Sequence, residues 1–196
     1  MAFTDTIIAM EADRAGELEP FLGDLRVGTK SLLVGVHQVL WHPITVYLAW
    51  RKLYGRPTLR ETFCILVHDL GYWGCADMDG ESGIDHPRLG SKIAGKLFGD
   101  QYRELVLLHS RHLARKLDAI PSKLCWADKA SILFEPEWFY LLRARASGEL
   151  AEYRARAASR VRTEESDSKW FTWLKKDLAE AAIAKAKPFS NAANMF

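Results

Sequence analysis

Histidine and aspartate side chains occur in this chain at positions where metal coordination is the chemistry that suits them best. The stretch CILVHDLGYWG (Cys64–Gly74) carries His68 and Asp69 side by side at the end of an apolar run. Imidazole and carboxylate together suit divalent transition metals. Asp128 lies in a second apolar stretch, LCWADKASILF, where a carboxylate needs a partner or a metal ion. Metal-assisted chemistry is therefore the first hypothesis.

The other histidines lie in several segments that are predicted to be helical. A single histidine on a helix is more often a packed or exposed residue than a ligand. Helical proteins nevertheless build metal sites by projecting ligands inward from facing helices. We therefore treat the two acids and all six histidines as candidate metal ligands: Asp69, Asp128, His37, His42, His68, His86, His109 and His112.

Six of these residues, in the order His42, His68-Asp69, His86, His109 and Asp128, resemble the metal-ligand pattern of the HD-domain superfamily of metal-dependent phosphohydrolases. That family has a lone histidine, a His-Asp doublet on the next helix and a distant aspartate, and HDLGYWG and WADKASI resemble its last two segments. His86 and His109 resemble the two extra histidines of the dinuclear branch. This branch contains cyclic-dinucleotide phosphodiesterases, symmetrical dinucleoside-tetraphosphate hydrolases and some di-iron oxygenases. The resemblance covers residues 31–142.

The resemblance implies one or two divalent transition metal ions as cofactor, and Mn, Fe, Ni, Zn and Mg all fit the ligand types. With two ions, Asp69 is the expected bridge, and Asp69 and His68 are the predicted catalytic residues. The other ligands divide into His42, His68 and Asp128 for the first ion and His86 and His109 for the second. Paired ions can hold a phosphoryl group and deprotonate a water. The implied substrate is a small phosphorylated molecule, nucleotide-like, cleaved at a phosphoester or phosphoanhydride.

Two pairs of neighbouring histidines require a choice. His37 and His42 are five positions apart, which on a helix turns them about 140° from each other. Only one of them can easily face the site, and the separation of His42 from the doublet is similar to that in the HD-domain family. We therefore assign His42 to the metal and His37 to packing or to the support of a ligand. His109 and His112 are three apart and are expected to share a helix face. We assign His109 to the metal, and His112 either contacts substrate or is exposed.

Basic and aromatic residues beside the proposed ligands are candidates for substrate binding. The cationic side chains can bind phosphate oxygens, although lysine and arginine are usually exposed. The aromatic side chains can stack on a base, although packing in the core explains them equally well. The predicted substrate-binding residues are Lys129, Arg88, Arg111, His112, Tyr72 and Trp73, with Arg115 as a further phosphate candidate.

The elements that position these residues are predicted to be helical throughout, because no segment alternates with period two. Thr58 and Glu61 have the spacing of a capping box, and Pro87 suits a first helical position. Gly71 is expected to end the helix that carries the doublet, and residues 101–117 are expected to form one helix. The predicted fold is an all-α, HD-domain-like helical bundle.

The length of 196 residues indicates a single domain, in which we distinguish three segments. Residues 1–30 are predicted as an N-terminal helical extension and 31–142 as the HD-like metal-binding helical core. Residues 143–196 are predicted as a C-terminal helical tail that packs on the core, because Trp170, Leu174 and Leu178 share one helix face.

Charge and cysteine content restrict the partners and the compartment. A net charge of +2 gives no reason to expect a nucleic-acid surface. The N-terminus lacks a basic n-region, and polar residues and a proline interrupt the most apolar stretch, so neither a signal peptide nor a membrane span is expected. Three widely spaced cysteines indicate reduced core thiols in a cytoplasmic protein. The oligomeric state stays open.

Two alternatives to hydrolysis stay open. The same six ligands can hold two irons, in which case the protein would be an oxygenase that acts on a small molecule. A third possibility is a non-catalytic HD module that serves as a sensor or binds a partner protein.

Overall fold

The structure is a computed structural model that describes residues 22–157 and 165–190. Within those ranges the chain forms α-helices, three short 3-10 helices and no strand, which confirms the predicted all-α class. The α-helices are α1 (Val27–Val34), α2 (Trp41–Tyr54), α3 (Leu59–Val67), α4 (Pro87–Phe98), α5 (Asp100–Leu107), α6 (Arg111–Lys116), α7 (Lys123–Ala130), α8 (Glu137–Ser147), α9 (Glu149–Ala157) and α10 (Asp167–Ser190). The 3-10 helices are Leu70–Tyr72, Gly83–Asp85 and Ser131–Phe134.

The beginnings of α3 and α4 follow from local sequence chemistry. The Thr58 hydroxyl accepts from the Glu61 backbone N–H at 3.2 Å, and the Glu61 carboxylate accepts from the Thr58 N–H at 2.8 Å. This reciprocal capping box satisfies two N–H groups that would otherwise lack a partner, as predicted. Pro87 takes the first position of α4, where its missing N–H costs nothing.

The expectation that Gly71 ends the doublet helix is wrong, because α3 ends at Val67 and Gly71 lies inside a 3-10 helix. Gly71 is needed for a different reason. A Cβ atom there would lie 1.9 Å from the carbonyl oxygen of His86, and a Cβ on Gly90 would lie 2.3 Å from that of Val67. These two glycines allow the start of α4 to pack directly against the turn that carries Asp69.

The single helix expected over residues 101–117 is also wrong. Helix α5 ends at Leu107 and α6 starts at Arg111. Between them Ser110 adopts an extended conformation, and its hydroxyl accepts from the Leu113 N–H at 3.3 Å. A serine side chain that bonds nearby backbone competes with helix continuation, which explains the break. His109 therefore lies in the turn, and His109 and His112 do not share a helix face.

Two buried clusters form most of the core. One is built around Trp50, Ile65 and Leu124, between α2, α3 and α7. The other contains Trp170 and Phe171 of α10, which pack against α8 and α9. Helix α10 also packs along α7 and α2, so the last helix covers the bundle rather than extending away from it.

The predicted segment boundaries do not coincide with breaks in the described structure. The boundary at 30/31 lies inside α1 and the one at 142/143 lies inside α8. Leu174 and Leu178 pack on the same cluster as Trp170. Residues 1–21 of the predicted extension and residues 158–164 and 191–196 of the tail lie outside the described residues.

Two further expectations from the sequence concern the cysteines and a membrane span. Cys64, Cys75 and Cys125 are all buried free thiols. Among the helices that the structure describes, none combines the length and apolar character needed to cross a membrane.

We expect Gly71→Ala to destabilise the protein by several kcal/mol, because the new methyl group would overlap the His86 carbonyl and force the start of α4 away. Denaturant unfolding measures the loss. Leu66→Ala, which alters an exposed side chain on α3, is the control and should change stability by less than about 1 kcal/mol. Equal stability of the Gly71 variant and the wild type would contradict the close approach.

Candidate metal centre

The predicted ligands come mostly from helix ends, where side chains from different helices can converge. His42 lies in the first turn of α2, and His68 follows the last residue of α3. His86 precedes α4, and His109 lies in the turn after α5. Asp128 lies within α7. The structure brings all of these residues, together with Asp69, into one cluster.

The carboxylate of Asp69 occupies the centre of this cluster. Its Oδ2 lies 3.1 Å from Nε2 of His68 and 3.3 Å from Nε2 of His42. Its Oδ1 lies 3.2 Å from Nε2 of His109 and 3.5 Å from Nε2 of His86. The result is two groups of three donor residues that share Asp69, and each group could hold a metal ion.

The separations between donor atoms match those in a metal coordination shell. Ligand atoms about 2.1 Å from one ion are about 3.0 Å apart in an octahedron and about 3.4 Å apart in a tetrahedron. The contacts of Asp69 with the four histidines lie between 3.1 and 3.5 Å. The Nε2 atoms of His86 and His109 are 2.9 Å apart.

Backbone carbonyl groups fix the tautomers of three of the histidines. Nδ1 of His68 lies 2.7 Å from the Ile65 oxygen, and Nδ1 of His109 lies 2.6 Å from the Val106 oxygen. Nδ1 of His86 lies 2.6 Å from the carbonyl oxygen of Gly83. A carbonyl only accepts, so Nδ1 carries the proton and each Nε2 presents its lone pair to the centre.

The cluster contains polar atoms that the protein itself does not satisfy. Nε2 of His42, Nε2 of His68 and Oδ2 of Asp69 are buried without a hydrogen-bond partner, since their mutual contacts lack hydrogen-bonding geometry. A buried acceptor without a partner costs about 1–3 kcal/mol. The Nε2 lone pairs of His86 and His109 face each other and repel, which adds to this cost. A divalent cation in each of the two ligand groups would satisfy these atoms, so the residues present fit metal ions.

The electrostatics hold the acids in the ionised form that metal binding needs. Burial opposes ionisation of Asp69, but His68 and the neighbouring imidazoles hold the pKa of this carboxyl well below its usual range. Burial likewise opposes ionisation of Asp128, and the Lys129 ammonium outweighs it and lowers the pKa. The Nζ atom of Lys129 donates to Oδ2 of Asp128 at 2.8 Å, while Oδ1 lies 3.2 Å from Nε2 of His42.

The histidines differ in their affinity for protons. Burial lowers the pKa of His68 and, more strongly, that of His86, where the nearby His109 adds to the effect. These imidazoles are neutral and ready to coordinate. At His42 burial also lowers the pKa, but the carboxylates of Asp128 and Asp69 outweigh it and raise the pKa to about 9.

A second layer of contacts supports the ligands, and it includes His37. The helix-angle argument for His37 is wrong, because this residue lies in the turn before α2, where its ring packs edge-on at 5.2 Å from that of His42. Its Nδ1 lies 3.0 Å from Oε1 of Glu149, a fully buried carboxylate at the start of α9. Tyr72 packs 4.9 Å from His37 and stacks on His86 with ring centroids 3.9 Å apart.

A cavity of about 450 Å³ opens above the cluster. Four of the predicted substrate-binding residues line it: Lys129, Arg111, His112 and Tyr72. The cavity also contacts residues that the sequence did not predict to line a site, mainly from α8, α9 and α10: Glu135, Tyr140, Tyr153, Arg156, Trp170, Trp173, Leu174 and Leu178.

The structure does not support substrate contacts for the other predicted residues. Arg88 is outside the cavity lining, and its Nε pairs with Oδ1 of Asp85 at 3.0 Å on the exposed side of α4. Trp73 is 65% exposed, because the turn after the 3-10 helix directs it away from the cluster. Arg115 is also exposed and lies outside the lining.

No protein-family model, no curated protein and no solved structure matches this chain. What the structure establishes is a buried His/Asp cluster that could hold a metal ion.

We expect Asp69→Ala to weaken binding of divalent metal at least about tenfold, because both groups of ligands lose their shared carboxylate. Metal content after dialysis without chelator, measured by elemental analysis, gives the readout. Asp85→Ala, which removes an exposed carboxylate next to His86, is the matched control and should keep the wild-type content. Circular dichroism checks that both variants fold. Unchanged metal content in Asp69→Ala would refute the assignment.

We expect metal binding to release about one proton near neutral pH. With a pKa of about 9 in the metal-free protein, His42 is protonated at pH 7, and the metal needs the same nitrogen. The proton competes below that pKa, so the apparent affinity should rise about tenfold per pH unit between pH 6 and pH 8. Calorimetry in buffers of different ionisation enthalpy counts the protons. An affinity that does not change with pH would contradict this assignment.

Proposed function

We propose that the protein is a metal-dependent phosphohydrolase of the HD-domain superfamily, which cleaves a phosphoester or phosphoanhydride in a small, nucleotide-like molecule. One observation carries the proposal. Asp69 presents one carboxylate oxygen to His42 and His68 and the other to His86 and His109, and these residues border a cavity that cationic side chains also line. The ordered His, His-Asp and Asp motifs agree with it.

The roles of the ligands follow from this arrangement. Asp69 would contact both of two bound ions, because its oxygens point to different histidine pairs. Its partners would be His42, His68 and Asp128 at one ion and His86 and His109 at the other. Two divalent ions held in this way would polarise a phosphoryl group and lower the pKa of a water between them. The carbonyl groups that accept from the imidazole N–H atoms keep the ligands oriented.

Cationic residues beside the cluster would bind the phosphate oxygens. Lys129 lies at the junction of cluster and cavity, where its ammonium bonds Asp128. Arg111 and His112 begin α6 and line the same cavity. A guanidinium binds phosphate through two parallel hydrogen bonds, which gives Arg111 the stronger contact of the two. Tyr72, which stacks on His86, would position that ligand rather than stack on a substrate base.

A di-iron oxygenase is the second candidate. The observation that favours it is the aromatic contribution to the cavity lining from Tyr140, Trp170 and Trp173, which suits an organic substrate. In that case the same ligands would hold iron, and the cationic residues would bind an acidic group of the substrate rather than a reacting phosphoryl group.

Substitution of two exposed arginines tests the proposed phosphohydrolase activity. The purified protein, loaded with Mn²⁺, is assayed for phosphate release from nucleotides and simple phosphate esters. Arg111→Ala should raise KM about tenfold, because it removes a charge-assisted contact with phosphate. Arg88→Ala, at an arginine outside the cavity, should leave KM within about twofold of wild type.

Either of two results would contradict the proposal. One is the absence of phosphate release with Mn²⁺, Mg²⁺, Ni²⁺ and Zn²⁺ alike, and the other is an equal effect of the two arginine substitutions. Substrate-dependent oxygen uptake by the iron-loaded protein would favour the oxygenase instead.

A further inference from the structure

His37 is a cavity-lining residue that uses only one of its two ring nitrogens within the protein. Its side chain is 15% exposed, and its ring packs beside those of His42 and Tyr72, which line the same cavity. Nδ1 contacts protein groups, whereas Nε2 has no hydrogen-bond partner within the described ranges. Nε2 of His37 is also open to solvent, unlike the sealed Nε2 atoms of His42 and His68.

The contacts of Nδ1 determine which nitrogen of His37 carries the proton. Nδ1 lies 3.0 Å from Oε1 of Glu149 and 3.0 Å from the hydroxyl oxygen of Ser31. The Ser31 hydroxyl uses its own proton to donate to Oε1 of Glu149 at 2.8 Å. Burial opposes ionisation of Glu149, but its hydrogen bonds, first of all that with His37, outweigh it and lower the pKa of this carboxyl. Both neighbours therefore accept from Nδ1–H, and in the neutral imidazole Nε2 keeps its lone pair.

The same contacts set the direction of the ring. Ser31 and Glu149 are outside the cavity lining, so His37 turns its Nδ1 edge away from the cavity. The two nitrogens of an imidazole point in nearly opposite directions, which turns Nε2 towards the cavity. Glu149 is itself held by further donors, namely the Tyr153 hydroxyl, the Ser147 hydroxyl and the backbone N–H of residue 36. Packing alone would not need this buried carboxylate, which is costly to bury without partners.

We infer that His37 binds the ligand of the cavity through Nε2, which accepts a hydrogen bond from a hydroxyl group, and that Glu149 is the positioning residue behind it. His37 adjoins the ligand His42, so the donating hydroxyl must adjoin the group held at the metal ions. In a nucleotide the part next to the phosphoryl group is the sugar, whose donors are hydroxyls. The choice of a sugar that keeps its hydroxyls rests on the proposed function, whereas the acceptor role rests on the geometry of His37.

His37→Phe is the most informative substitution, because it removes the acceptor and keeps an aromatic ring beside His42. Oε1 of Glu149 then still accepts from the hydroxyls of Ser31 and Tyr153, so the buried carboxylate keeps partners and the fold should persist. Ser147→Ala is the matched control. It removes a donor to the other oxygen of Glu149, outside the cavity lining, and leaves the contact between Glu149 and His37 in place.

The test uses NMR on the full-length protein loaded with diamagnetic Zn²⁺, at about pH 8, where an ordinary imidazole is neutral. The probes are adenosine and dideoxyadenosine, which lacks both ribose hydroxyls. Long-range proton–nitrogen spectra should show the His37 proton on Nδ1, and adenosine, but not dideoxyadenosine, should shift the Nε2 resonance. We expect adenosine to bind about fivefold more tightly than dideoxyadenosine. His37→Phe should reduce this ratio to within about twofold of unity, and Ser147→Ala should retain it.

Three results would overturn the inference. They are equal binding of the two nucleosides by the wild type, no binding of either nucleoside, and a preference for adenosine that His37→Phe leaves unchanged. The outcome for the proposed function is separate. If adenosine is preferred through His37 but the protein releases no phosphate from nucleotides, the proposed function fails and the role of His37 stands. If phosphate is released and neither nucleoside is preferred, the role of His37 fails and the proposed function stands.

Discussion

The convergence of four imidazole nitrogens on one buried carboxylate is the constraint on which the rest of the structure depends. All of these groups can donate an electron pair to a metal ion, and the pKa of Asp69 is held low. In the metal-free protein a proton on His42 offsets part of their mutual repulsion, and bound cations would satisfy the remaining buried atoms. The fold positions these groups accurately. Helix ends supply the ligands, carbonyl groups set the tautomers, and Gly71 and Gly90 allow α4 to approach the turn that follows α3.

The C-terminal helices belong to the site as much as the helices that carry the ligands. Glu149 of α9 accepts from Ser31, Ser147, Tyr153 and the backbone of residue 36, which leaves it fully satisfied in a buried position beside His37. Helix α10 covers the cavity with aromatic and aliphatic side chains. Removing residues 143–196 would therefore open the cavity and expose the support of the ligands.

The sequence was sufficient for features that depend on neighbouring residues and insufficient for those that depend on distant contacts. The capping box at Thr58 and the helix start at Pro87 are local patterns, and each has the position predicted for it. The His-Asp doublet follows the end of α3 instead of lying within the helix. The partnership of His37 with Glu149 spans more than a hundred residues, and no periodicity indicates it. The break at Ser110 was missed because the apolar spacing continues through it, although a serine in that position was an available signal.

Under the proposed function Asp69 would contact two bound metal ions, and electron paramagnetic resonance of the Mn²⁺-titrated protein is the first measurement to make. Two Mn²⁺ ions that share one carboxylate are spin-coupled, so we expect a coupled-pair signal that grows to two equivalents per chain and disappears in Asp69→Ala. A six-line signal from isolated ions at full loading, or no bound Mn²⁺, would contradict it.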